Sequence, residues 1–189
     1  MGITKDQITS NLMRWESAIL AIAVVVSLPF YSYDWHLFLH VAGAIVFLGN
    51  IVVTAVWLAL AERMGGREVL RFAARTVARA DLIFTAPGVV LVLGNGLAMA
   101  ADRWGGWSGF HEHSWLTSAL VLFALSGVLW VALLLPYQFR MIRLAESHGE
   151  TQLPEEFFST LHRWYVWGGV AILLPVLSLL LMVNKPELW

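Results

Sequence analysis

The chain has 189 residues, 59% of them hydrophobic and only 13% charged, with 10 Trp, 10 Phe and a mean hydropathy of +0.71. Soluble domains carry about a quarter charged residues, so this composition belongs in a bilayer. The absence of Cys excludes disulfides, thiolate catalysis, iron–sulfur ligation and covalent c-type haem, and a net charge of −1 excludes a global attraction to nucleic acid.

In chain order, residues 17–33 form the first candidate span, short and carrying Pro29 near its end. The bulky run PFYSYDW that follows lacks a small-x-small cleavage site, which favours a membrane span over a signal-peptide core. Residues 36–61 make a full-length span, since a helix crosses the hydrocarbon in about 20 apolar residues. This span opens with His36 and His40, one helical turn apart on one face, and continues through Gly43 and the pair Gly49-Asn50. Next comes an arginine-rich segment, residues 63–80, with Arg63, Arg67, Arg71, Arg75 and Arg79 at a constant spacing of four. Val69, Leu70, Phe72, Ala73 and Val77 are expected on its other face, so the spacing predicts a basic amphipathic helix lying on an anionic leaflet, with an acidic partner protein as the alternative.

Residues 82–101 form the third span, in which Gly88 and Gly94-Asn95 repeat the pattern of Gly43 and Gly49-Asn50. The echo has two readings, a remnant of duplication or glycines that let helices approach while Asn bonds across the contact. The loop GFHEHSW then supplies His111 and His113 in an H-x-H pattern. Residues 115–136 form the fourth span; the polar segment that follows contains His148 and leads to His162 and the fifth span, residues 164–183.

The expected fold is therefore all-α, a single integral membrane domain over residues 1–189: a polytopic transmembrane bundle of five spans, four core helices plus an N-terminal helix. Ten of the 12 Lys and Arg residues fall on one side if the N-terminus is cytoplasmic, leaving only Arg103 and Lys185 outside. Cytoplasmic loops retain positive charge, so the expected setting is a bacterial inner membrane with the N-terminus inside and the C-terminus outside. Tyr31, Tyr33, Trp35, Trp104, Trp107 and Trp115 then read as the outer aromatic belt, and Tyr137, Trp164 and Trp167 as the inner one.

Polar groups inside spans are costly and mark functional candidates. On this topology His36, His40, His111 and His113 cluster near the extracytoplasmic side, and His is a ligand for zinc, copper and haem iron. His36 abuts Trp35 and reads as a belt residue or a ligand, whereas His40 lies about 6 Å deeper, where an idle imidazole is expensive. Asn95, roughly 9 Å in from Ala101, reaches a similar depth, so its carbonyl is expected to orient His40, with His111 or His113 completing the ligand set. His36 and His40 share a helix face and cannot be the two axial ligands of one haem, while a single copper or zinc ion could accept both. His148 and His162 are expected to be solvated or interfacial. No Ser-His-Asp set, phosphate loop or HExxH occurs, which argues against hydrolysis and phosphoryl transfer.

The stretch HLFLHVAGAIVFLGNIVVTAVWLAL, then ADLIFTAPGVVLVLGNG, LPYQFRM, RWYVWGG and KPELW, resembles the bacterial domain of unknown function 2269 family from about His36 to Trp189. More distantly it resembles small membrane proteins that include copper-resistance D proteins and the haem-binding protoporphyrinogen oxidase of the HemJ type. The resemblance implies a helical bundle with an intramembrane His, matched here by His40, holding haem b or copper. It lacks an intramembrane Lys matching that of the oxidase. The functional expectation is a haem b- or metal-binding membrane redox protein, an oxidoreductase or electron carrier served by a quinol or a membrane protein partner. The competing expectation is a non-catalytic subunit or assembly factor whose polar groups only pack helices.

Overall fold

The computed structural model describes residues 5–28, 31–105, 107–146 and 152–189, so the expectation for His148 lies outside the described residues. The described chain is all-helical: α1 (Lys5–Val26), α2 (Tyr33–Met64), α3 (Arg67–Ala80), α4 (Ala86–Arg103), α5 (Trp107–Glu112), α6 (Ser114–Leu129), α7 (Leu135–Glu146) and α8 (Glu155–Asn184). Two five-residue π-turns, Asp81–Thr85 and Trp130–Leu134, join α3 to α4 and α6 to α7 without a break in helical bonding. Each precedes a proline, Pro87 or Pro136. A proline has no amide hydrogen and crowds the carbonyl four residues back, so the preceding amide bonds one residue further: Ala86 N–H to the Asp81 carbonyl, Leu135 N–H to that of Trp130.

Four helices, Tyr33–Met64, Arg67–Arg103, Ser114–Glu146 and Glu155–Asn184, are long and apolar enough to cross a membrane. An N-terminal helix adds a shorter apolar stretch, Trp15–Val26. It stops at Val26, seven residues before the expected boundary, because Ser27 and Leu28 already turn. At 1.5 Å per residue the long helices measure about 45–55 Å, well beyond a hydrocarbon core of roughly 30 Å. The excess includes the arginine-rich segment, which runs on into α4 as one helix from Arg67 to Arg103.

The chain divides into two compact units. The first comprises residues 1–51 and 79–106 and holds α1, α4 and the first half of α2. The second comprises residues 52–78 and 107–189. Its core gathers Leu58 and Ala61 of α2, Leu70, Ala74 and Val77 of α3, Met141 and Ala145 of α7, and Phe157 and Leu161 of α8. The apolar face of α3 is therefore covered by protein rather than lipid. Phe72 is not part of it: the side chain is 71% exposed and projects on the arginine side. Arg75 pairs with Glu146, Arg140 with Glu156 and Arg71 with Glu68, while Arg67 Nε donates to the Ala145 carbonyl at 3.2 Å. These exposed pairs suit an aqueous rim and contribute little stability. α6 and α8 pack along their length, with Ser126 Oγ donating to the Ala171 carbonyl at 2.8 Å and Ser178 Oγ to that of Ala119 at 3.0 Å. Trp115 and Trp164 are buried, so neither belongs to an aromatic belt; Lys185 Nζ sits 5.5 Å above the Trp115 ring.

Candidate functional site in the α2–α4 seam

In the first unit α2 and α4 meet along a stripe of His36, His40, Gly43, Phe47 and Asn50 on one side and Asp81, Thr85, Gly88, Val92, Asn95 and Met99 on the other. Both stripes step by four and three residues alternately, the spacing that keeps one face of a helix turned to its neighbour. At the centre the two glycines face each other. A Cβ at Gly43 would lie 2.6 Å from Leu91 Cβ, and one at Gly88 would lie 2.9 Å from Phe47 Cβ and 3.2 Å from the Gly43 carbonyl oxygen. Only glycine allows the backbones so close. Seven residues before each glycine stands a titratable side chain, His36 or Asp81; seven after stands an asparagine, Asn50 or Asn95. Because the helices run antiparallel, each titratable group meets the other helix's asparagine.

At the Asp81 end, Asn50 Nδ2 donates to Asp81 Oδ1 at 3.0 Å and to Thr85 Oγ1 at 2.9 Å, and Thr85 Oγ1 donates to Asp81 Oδ1 at 2.9 Å. At the His36 end, Asn95 is fully buried. Its Nδ2 donates to the Leu91 carbonyl and to Ser27 Oγ, both at 2.8 Å, and Ser27 Oγ donates to the Ala23 carbonyl, also at 2.8 Å. With the amide nitrogen so committed, Asn95 Oδ1 is the acceptor for His36 Nδ1 at 2.7 Å, which must carry the proton. His40 Nδ1 lies 2.7 Å from the Val92 carbonyl, again an acceptor only, so it too is Nδ1–H. Both imidazoles therefore present their lone pair at Nε2. That is how a ligating histidine is usually held, its second nitrogen donating to a fixed oxygen.

The pairing differs by one turn from the depth argument: Asn95 orients His36, and the carbonyl of Val92 orients His40. Helix rise fixes depth to a few ångströms but not which of two residues on one face a partner reaches. His36 is 4% exposed and so is a seam residue rather than a belt residue. The edge of the Tyr31 ring covers it, with centroids 6.2 Å apart, and Arg103 lies 5.0 Å over the nearby Tyr33 ring. Asn50 and Asn95 stand at opposite ends of the seam and do not pair, as their depths required. His111 and His113 lie in the second unit, in and just after the short helix α5: His111 is exposed and His113 is half-buried, its ring 6.2 Å from that of Trp115. His162 is exposed on α8. Among the described residues no three His, Asp or Glu side chains gather closely enough to hold a metal ion.

Several participants carry no motif. Ser27 is brought in by Gly94, where a Cβ would lie 2.9 Å from Ser27 Cβ. Gly96 makes room for the His40 ring, since a Cβ there would lie 3.1 Å from Nδ1 and Cε1. The signal that finds Asp81 and Thr85 is the shared four-three spacing, which the G-x5-G-N echo samples only in part.

Residues 36–186 match the family described as Predicted integral membrane protein (DUF2269). The chain belongs to this DUF2269 family. The match starts at His36 and takes in the whole α2–α4 stripe, whereas α1 and Ser27 precede it. Neither curated proteins nor solved structures gave a match.

Proposed function

We propose that this DUF2269 protein is a membrane redox protein that holds haem b or copper through Nε2 of His40, with His36 one turn away. The observation that carries the reading is the fixed tautomer of both rings: two buried acceptors, Asn95 Oδ1 and the Val92 carbonyl, hold Nδ1–H and turn the lone pairs to Nε2. Haem would be held by one of these two imidazoles. Copper would accept both. Either group would supply one-electron chemistry at the His36 end of the bundle, and the positive-inside bias puts that end on the extracytoplasmic side of the membrane. The seam itself contributes positioning.

A packing role is the second reading, favoured by the Asn50–Asp81–Thr85 cluster, which joins the same two helices without an imidazole. An optical spectrum and metal analysis of protein purified without a His-tag separate the two. The redox reading expects a Soret band that shifts on reduction, or stoichiometric copper, lost in His40→Ala and kept in His162→Ala. A colourless, metal-free protein, or full cofactor content in His40→Ala, would refute it.

A further inference from the structure

A second polar arrangement lies between α6 and α8, wholly within the second unit and near its arginine-rich end. Trp130 Nε1 and Trp164 Nε1 are buried and have no hydrogen-bond partner among the described residues. Trp164 is 7% exposed, and its ring stands edge-on to that of Tyr165, centroids 5.6 Å apart. The Tyr165 hydroxyl faces the Glu62 carboxylate, its acceptor within the chain. An unmet buried donor costs about 1–3 kcal/mol, so the two indoles together call for an acceptor from outside the chain.

Beside each donor stands a glycine one turn away on the same helix: Gly127 near Trp130, Gly168 near Trp164, Gly169 near Tyr165. These glycines pack nothing. A Cβ at Gly127 or Gly169 would meet no atom within 4 Å, and one at Gly168 would meet only Leu134 Cδ2, at 4.0 Å. Glycine within a helix costs about 1 kcal/mol relative to alanine, and no close approach compensates for that here. The Ser126–Ala171 and Ser178–Ala119 bonds set the antiparallel register, which brings Trp130 level with the glycine pair. Val166, Trp167 and Val170, on the outer face of this stretch of α8, are exposed.

We propose that this glycine-sided notch binds the head group of a lipid-soluble quinone. A quinone offers carbonyl acceptors on a flat ring that stacks on indole and phenol, and an apolar tail that stays in the lipid. A phospholipid ester carbonyl offers the same acceptor without the ring. Binding here does not depend on a cofactor at His40, so either proposal can fail alone.

The test is calorimetric titration of the full chain, in nanodiscs of phosphatidylcholine and phosphatidylglycerol, with a decyl-benzoquinone, alongside native mass spectrometry of retained phospholipid. The expected result is saturable binding at one quinone per chain, weakened at least tenfold by Trp130→Phe, Trp164→Phe and the filled notch Gly127→Ala/Gly168→Ala. Because the alanines enter open space, the double glycine variant should fold as stably as the wild type; if Trp164→Phe misfolds, that variant and Trp130→Phe decide. Absence of saturable binding, or unchanged affinity in them, would overturn the proposal. So would a tightly retained phospholipid that is lost in these variants and that the quinone does not displace.

Discussion

Two helix pairs in this protein use glycine in opposite ways. In the α2–α4 seam Gly43 and Gly88 bring the backbones into contact, and the polar groups flanking them bond across the gap. In the α6–α8 pair Gly127, Gly168 and Gly169 stand beside empty space, and the neighbouring donors are unmet. Within a bilayer there is little hydrophobic drive to join helices, so association rests on close packing and interhelical hydrogen bonds. The first pair has both and reads as the rigid element. The second has left room and hydrogen-bonding capacity, which is what a binding surface needs.

The largest expected effect inverts this contrast. Gly43→Ala or Gly88→Ala forces a methyl group into atoms under 3 Å away and should destabilise the protein by roughly 1–3 kcal/mol or more. Gly127→Ala and Gly168→Ala should instead be neutral or stabilising by up to about 1 kcal/mol. Unfolding of the four variants in mixed micelles reads the sign directly.

Next in size is Asn95→Leu, which removes the acceptor for His36 and two donated bonds. It should cost on the order of 1–3 kcal/mol and weaken cofactor retention about 10- to 100-fold. Asn50→Leu should destabilise by a similar amount but leave cofactor content unchanged, since Asn50 serves only the Asp81 end. Metal or haem per chain, measured beside Tm for both variants, separates orientation of a ligand from helix packing.

The smallest effect should come from the exposed ion pairs. Arg75→Ala and Arg140→Ala should each change stability by less than about 1 kcal/mol, because both pairs are solvated and screened. A larger loss would mean that the arginine-rich rim does more than keep the helix ends soluble.

Much of this was legible in the chain. The apolar runs locate the four long helices, because hydrocarbon thickness sets their minimum length, while the helix ends at Arg67, Glu146 and Glu155 lie 9 to 15 residues beyond the apolar runs. The runs did not show that α3 runs on into α4 as one helix, since the arginine spacing marks a polar face without marking where the helix ends. The buried face of that helix came out correctly at Leu70, Ala73 and Val77. Phe72 did not, because hydrophobicity alone assigned it to a face that its angular position excludes. At the candidate site, His36, His40 and Asn95 stood out as polar residues in apolar spans. Which histidine meets Asn95 depends on the register of α2 against α4, and Gly43 and Gly88 set that register only once the two are known to face each other. The notch at Trp130 and Trp164 was hidden, because a tryptophan at a span end also fits an interfacial belt.

The central claim is that His36 and His40 are both held as Nδ1–H tautomers with Nε2 left to bind a ligand. Solid-state NMR of protein carrying ¹⁵N-labelled histidine in lipid measures this directly, with His36→Gln and His40→Gln assigning the signals. The account predicts protonated Nδ1 and unprotonated Nε2 for both residues in cofactor-free protein, and a shift of the His40 Nε2 signal when haem or copper is added. Protonated Nε2 at both sites, with no change on adding either group, would contradict it.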